Sequence, residues 1–248
     1  MIFKPAIALA ALSLLGTILA PVKAQIQTQP ELRELDDNIQ TLLETRRCDR
    51  CNLTNADLQR QHLERAWLRS SILRGANLQY IDLSFSNLRG TTFRGADLTA
   101  ANLRGANLVG TSWQEAVLDQ AIFVNAQLQG ANFSESQMTR TDVMRANLQS
   151  ADLNHAKLEA LQAQQANFND ADLTWAYLQQ ANFNAAQLQR ANFRKADLRY
   201  ADLSQADLSF ANLTDALLDN ADLTDVRFCS TTMPDGTIKE PDCELVIE

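Results

Sequence analysis

From Leu53 to Phe228 every fifth residue is apolar, which makes 36 positions without a slip in register. Leu or Phe fills 32 of them, and Trp113, Met138, Val143 and Ala163 fill the rest. The residue two before each of these centres is usually small, as at Ala56, Ala66, Ala76, Ala96, Ala101 and Ala106. The residue just before the centre is Asp or Asn in 21 of the 36 units, so the repeating unit reads A-(D/N)-(L/F)-x-x. A period of five suits neither an amphipathic helix, which repeats every 3.6 residues, nor a plain strand, which repeats every two. A short extended stretch followed by a corner does suit it, because alternation then points the centre and the small residue inward together. Only a stack of equivalent units gives every fifth side chain the same surroundings, so the pattern predicts a solenoid.

The glycines mark the corner. Gly75, Gly90, Gly95, Gly105, Gly110 and Gly130 all lie two residues after a centre. Glycine adopts positive φ without steric cost, which is what a tight corner asks for. Asp or Asn before the centre can hydrogen-bond the backbone of the turn. At 161–165 the large and small residues exchange places, with Leu161 at a small site and Ala163 at a centre. Core volume is conserved, so the register is expected to continue with a local distortion. A second weak stretch spans 136–145, where Ser136 and Thr141 take small sites beside Met138 and Val143.

Tandem A-(D/N)-L-x-x resembles the pentapeptide-repeat family over about 51–230. That resemblance implies an all-β fold, a right-handed quadrilateral parallel β-helix with four pentapeptides per coil. Thirty-six units would then make about nine coils, a rod about 43 Å long at the strand spacing of ~4.8 Å. The tail after the array, with Cys229, Pro234-Asp235-Gly236 and Cys243, is similar to one found in exported, cyanobacterial-type members. Some members of the family imitate the charge of duplex DNA and bind DNA gyrase.

Outside the array the pattern changes. Residues 1–24 carry Lys4, an apolar run over Ala6–Ala20, and small residues before a cut after Ala24. This reads as a secretory signal peptide, with an uncleaved membrane anchor as the alternative. Export places the chain in a periplasm or a thylakoid lumen, with no membrane span after cleavage. Residues 25–50 form a linker and a capping helix expected at about 30–46. Leu32, Leu35, Ile39, Leu42 and Leu43 recur there at helical spacing, and Thr28 with Glu31 makes a capping box around Pro30. Residues 231–248 are expected to be a C-terminal capping tail, with Leu245, Val246 and Ile247 against the last coil.

Charge narrows the choice of partners. The net charge is −8, and loss of Lys4 and Lys23 with the signal segment makes it −10. Most of it lies in residues 196–248, which hold 12 acids and 3 bases. Nucleic-acid binding needs clustered cations and is not expected. The stacked model places Arg69 over Arg89 and Arg74 over Arg94, a modest basic patch toward the N-terminal end. Trp67, Tyr80, Phe85, Trp175, Tyr177, Tyr200 and Phe210 fall at outward or corner positions, where aromatics often anchor interfaces.

Candidate chemistry is sparse. Cys48 and Cys51 form a C-x-x-C that reads as a redox dithiol, half a metal site or a structural disulfide. In the rod implied by the resemblance, Cys48 and Cys51 lie at one end and Cys229 and Cys243 at the other. That separation favours 48–51 and 229–243 among the three pairings and opposes a four-cysteine zinc site. His62 and His155 both face outward, more than four coils apart, and cannot share a metal. Glu115 over Glu135 is a weak cation site or a solvated face. No catalytic set, phosphate loop, cofactor or metal motif is present, and an interior packed with Leu, Phe and Ala leaves no internal pocket for a substrate. The expected function is a non-enzymatic structural or protein-interaction module with a protein partner of unknown identity.

Overall fold

A computed structural model describes residues 30–240 and 243. The signal segment, Thr28 of the capping box and Leu245–Ile247 lie outside the described residues. Parallel backbone bridges run from Arg47↔Trp67 to Asn212↔Thr232, and each joins residues 20 apart. One turn therefore holds four five-residue units, and the result is a β-helix-type repeat fold. Each unit bridges through a single residue, because five residues leave room for one extended pair before the next corner. The only strands longer than one residue in the described part are β1 (Thr231–Thr232) and β2 (Ile238–Lys239). They pair antiparallel beyond the array, across the turn at Pro234-Asp235-Gly236.

The unit 96–100 shows why this sequence pattern closes the backbone. Ala96 N–H donates to Phe93 O (2.9 Å) and closes the preceding corner. Asp97 N–H reaches down to Ala76 O (3.0 Å), while Leu98 and Ala100 N–H reach up to Val117 O (2.7 Å) and Asp119 O (2.9 Å). The fifth donor, Thr99 N–H, has no backbone acceptor and goes to the Asp97 side chain at 3.0 Å. Asp or Asn before the centre thus completes the accounting of a unit whose donors would otherwise be one acceptor short. The same bond recurs at Asp82, Asn132, Asp142, Asp172, Asp202 and Asn212.

Centres and small sites are buried along almost the whole array, and a single apolar core runs up the axis. At several polar small sites the hydroxyl reaches the carbonyl of a centre in the preceding turn, whereas Thr111 donates to Leu108 O of its own turn. Ser71, Thr91, Thr141 and Thr231 donate to the carbonyls of Cys48, Leu68, Leu118 and Leu208 at 2.6–2.8 Å. The swap at Leu161 and Ala163 does not produce the distortion expected from the sequence. Both residues are fully buried, and Gln162 bridges Asp142 below and Asn182 above in register. Conserved volume was sufficient, because the backbone bonds do not depend on which inward position carries the larger group.

The corner residue has positive φ in every unit. Glycine fills six of these corners within the array, and the others hold Arg, Asn, Ser, Ala, Gln, Glu, Asp, His, Lys and aromatic residues. None is Val, Ile or Thr, the β-branched types for which this region is most strained. Gly95 isolates that effect, since a Cβ there would meet nothing within 4 Å. Replacing Gly95 by Val is expected to cost about 1–3 kcal/mol relative to Asn at the same site. Equal urea midpoints for the two variants would show that the corner imposes no such selection.

The helix α1 spans Pro30–Thr45. Ile39 and Leu42 are buried, and Leu35 packs against the core. Leu43, expected on the same face, is instead 38% exposed. At about 100° per residue, Leu43 is turned away from a contact line set by Leu35, Ile39 and Leu42.

Candidate interaction faces

A 20-residue turn makes each outward position the foot of a column. One face carries Arg47, Trp67 and Asn87 in one column and Asp49, Arg69 and Arg89 in the column two residues on. Trp67 is 40% exposed and lies between two guanidinium groups, Arg47 at 5.5 Å and Arg69 at 5.2 Å from its ring. Arg69 also holds Asp49 at 2.6 Å. That hydrogen bond keeps the Asp49 carboxyl below its usual pKa and raises the Arg69 pKa. Asp49, Arg50, Arg69, Ser70, Arg89 and Gly90 line an open surface cleft of about 580 Å³. Corner and outward-facing residues line it, so the cleft belongs to the outer wall.

The other basic residues lie on the next face. Arg74 and Arg94 stand there beside the columns of Ile72 and Thr92, and Ile72 is 44% exposed. Arg94 pairs with Glu115 at 2.7 Å. That bond engages one member of the Glu115/Glu135 pair expected to stack. The expected patch is therefore two adjoining faces, each partly neutralised by an acid. Between positions 46 and 104 the chain nevertheless carries ten Arg and five acids. This local excess of base contrasts with the acidic end at 196–248.

Trp175 and Tyr177 stand apart from this region, and Trp175 lies in the corner column of Gly75 and Gly95, five turns beyond the first and four beyond the second. Trp175 is a corner residue, stacked on His155 with ring centres 6.1 Å apart and with Lys195 Nζ 4.5 Å above it. Tyr177 sits at a bridging position of the following face, between Lys157 and Asp197. Phe85, Tyr80, Tyr200 and Phe210 are exposed corners. Phe85 lies over Gly105, where an added Cβ would come within 2.7 Å of the ring.

Several carboxylates at and before the acidic end are tied to neighbouring side chains. Arg199 bonds Asp197, and Arg190 bonds Asp170; both carboxyl pKa values are lowered by these contacts. Burial would raise Asp207, but hydrogen bonds from Ser209 and Gln189 outweigh it and the net shift is downward. Asp82 and Asp97 follow the same balance, burial opposed by hydrogen bonds from Ser84 and Asn102 and from Thr99 and Gln79.

The cysteines fall into two local pairs. The sulfurs of Cys48 and Cys51 are 1.98 Å apart, and those of Cys229 and Cys243 are 2.18 Å apart. Cys48 is 3% exposed and occupies a centre of the solenoid, one unit before Leu53. Among the described residues no helix is long and apolar enough to cross a membrane.

The family model for pentapeptide repeats matches the chain in overlapping copies that run from 51–84 to 196–233. Among solved structures, the chain is similar to HetL, a pentapeptide repeat protein involved in heterocyst differentiation regulation in the cyanobacterium Nostoc sp. strain PCC 7120. The identity is 32% over 78% of this chain and 91% of that one, with a TM-score of 0.43. Full-length QnrB1, a plasmid-mediated fluoroquinolone resistance protein, is 20% identical over 69% of this chain and 90% of its own, with a TM-score of 0.41. A pentapeptide repeat protein of the Arabidopsis thaliana thylakoid lumen is 27% identical over 46% of this chain and 69% of its own, with a TM-score of 0.14. No curated protein matches the chain.

Proposed function

The chain belongs to the pentapeptide-repeat family, and from that premise we propose that it is an exported, non-enzymatic rod that binds a protein partner through the face around Trp67. The observation that carries the reading is the half-exposed Trp67 ring held between Arg47 and Arg69 beside a cleft that Arg89 also lines. Trp and Arg are the residues that most often dominate binding energy at protein interfaces. Here the cation–π contacts fix the ring in place before a partner arrives, which lowers the ordering cost of association.

The organisation proposed around this face is a right-handed rod of about nine coils over 51–230. Residues 25–50, with α1, cap its first turn, and 231–248 cap its last. Both cysteine pairs are proposed as structural disulfides that pin these ends. A reactive thiol needs exposure and a cationic setting, and the burial of Cys48 supports the structural role over a redox one. Export rests on residues 1–24 and leads to the periplasm or the thylakoid lumen. Mimicry of DNA toward gyrase gains little support, because Asp197 and Asp207 at the acidic end are engaged by the rod's own Arg and Gln side chains.

Affinity capture from the native compartment tests the reading. The wild-type chain is expected to retain a specific protein that Trp67→Ala binds roughly ten-fold or more weakly. Arg89→Glu should act in the same direction, while Tyr200→Ala at the other end should bind normally. Capture of the same proteins by the wild type and by both altered chains would overturn the assignment of this face.

A further inference from the structure

We infer that His62, Glu64 and Asp82 form a surface site for a divalent transition-metal cation of the zinc class. The site lies on a different face from Trp67, and no motif in the sequence points to it. His62 and Glu64 flank the buried centre Leu63, so the extended backbone points both side chains outward on one side. The bridge His62↔Asp82 then sets Asp82 directly above His62 in the next turn. The imidazole nitrogen and the two carboxylate groups each offer a ligand atom, and all three atoms lie within 4.8 Å of one another. Bonds of about 2.1 Å to a tetrahedral ion put ligand atoms about 3.4 Å apart, a closure that side-chain rotation can make while the backbone stays in register. His62 Nδ1 and Glu64 Oε1 are already at 3.5 Å.

Outer contacts orient both carboxylates. Asp82 accepts hydrogen bonds from Ser84 N–H (2.9 Å) and Asn102 Nδ2 (3.1 Å), one on each oxygen. Arg46 holds the other oxygen of Glu64 at 3.3 Å and leaves Oε1 toward His62. Partners of this kind tune metal sites by fixing the ligands before the ion arrives. Two oxygens and one imidazole favour zinc-like ions over magnesium, which prefers oxygen alone. Three protein ligands on an open face leave a coordination position for water or for a donor from another molecule. The second three-residue cluster, Cys229, Glu240 and Cys243, offers no comparable site, because its two sulfurs are bonded to each other. His155 stacks on Trp175 and belongs to neither group.

Calorimetric titration of the tag-free full chain with Zn²⁺ tests the site, with Mg²⁺ as the counter-probe. The expected result is saturable 1:1 binding of Zn²⁺ in the sub-millimolar range and none of Mg²⁺. His62→Ala and Asp82→Asn should each weaken it roughly ten-fold or more, and His155→Ala should leave it unchanged. Because an ion that binds only the folded chain stabilises it by mass action, Zn²⁺ should raise the melting temperature of the wild type and not of His62→Ala. The altered side chains lie on the outer wall, Asp82 half-buried there, and urea midpoints without metal will show that the variants fold. Equal Zn²⁺ affinity in the wild type and both site variants, or no saturable binding by the wild type, would overturn the inference.

Discussion

Replacing Trp113 by Ala is expected to remove about 3–5 kcal/mol of stability, the range for deleting a large buried aromatic side chain. Trp113 takes a centre that Leu or Phe fills elsewhere, and it is fully buried. Its ring stacks on Phe93 one turn below at 4.1 Å and on Phe133 one turn above at 5.5 Å. Phe123 meets it edge-on at 5.7 Å. The indole N–H donates to Thr111 Oγ1 at 2.7 Å, and Thr111 in turn donates to Leu108 O at 2.7 Å. Alanine would therefore open a gap in a column that spans three turns. The turns above and below are held 20 residues apart by backbone bonds and cannot close in on it. Trp113→Phe keeps the aromatic column and loses only the indole hydrogen bond and some volume, so it should cost much less. Urea unfolding followed by circular dichroism measures both. Hydrogen exchange across 93–133 would show whether the damage stays local, as nearest-neighbour coupling in a solenoid predicts. A loss below about 1 kcal/mol for Trp113→Ala, the size of an ordinary substitution, would mean that the column carries little of the stability.

The ease with which such a position is found reflects how directly the period encodes the architecture. Every Leu/Phe centre was legible because its environment repeats, and the positive-φ corner was legible from six glycines. The ends were less so. Cys48 and Met233 occupy further positions of the same five-residue series, Cys48 buried and Met233 packed against the core. A rule written for Leu and Phe passes over both, although their distances of five residues from Leu53 and Phe228 were available as a signal. The swap at Leu161 and Ala163 looked more disruptive in sequence than it is, since residue identity is visible there and conserved volume is not. The His62 cluster was missed for a different reason. Its members are separated by 2 and by 20 residues, and only the 20-residue turn brings Asp82 to His62. The same turn couples Trp67 to Arg47, and Trp175 to His155 and Lys195. Side-chain pairing of this sort depends on rotamers that a one-dimensional period does not contain. Face-by-face charge was hidden too, because a net charge for the chain mixes an arginine-rich start with an acidic end.

The acid limb of the stability profile should be steep, and its sign follows from the carboxylates. Asp49, Asp82, Asp97, Asp170, Asp197, Asp207, Asp222 and Asp235 all have pKa values lowered in the fold. A group with a depressed folded pKa contributes its stabilisation above its unfolded pKa and loses it as pH falls through the folded one. The unfolded value for Asp is about 3.9, so the loss should begin near pH 4 and deepen below it. Relief of repulsion works in the opposite sense, since the chain carries a net charge of −8 at pH 7 and protonation first reduces it. Urea midpoints should therefore be nearly level from pH 8 to about 5 and fall sharply below about 4. Asp97→Asn separates the two effects. Its retained Oδ1 can still accept from Thr99 N–H, now 3.0 Å from Asp97, while the new amide no longer offers Gln79 Nε2 the charged acceptor it has at 2.6 Å. The variant should be less stable than the wild type at pH 7, and the gap should close as pH falls, because the wild-type carboxylate then loses its charge. A gap that stays constant from pH 7 to 3, or a midpoint that rises on acidification below pH 4, would show that these carboxylates do not hold the corners as anions.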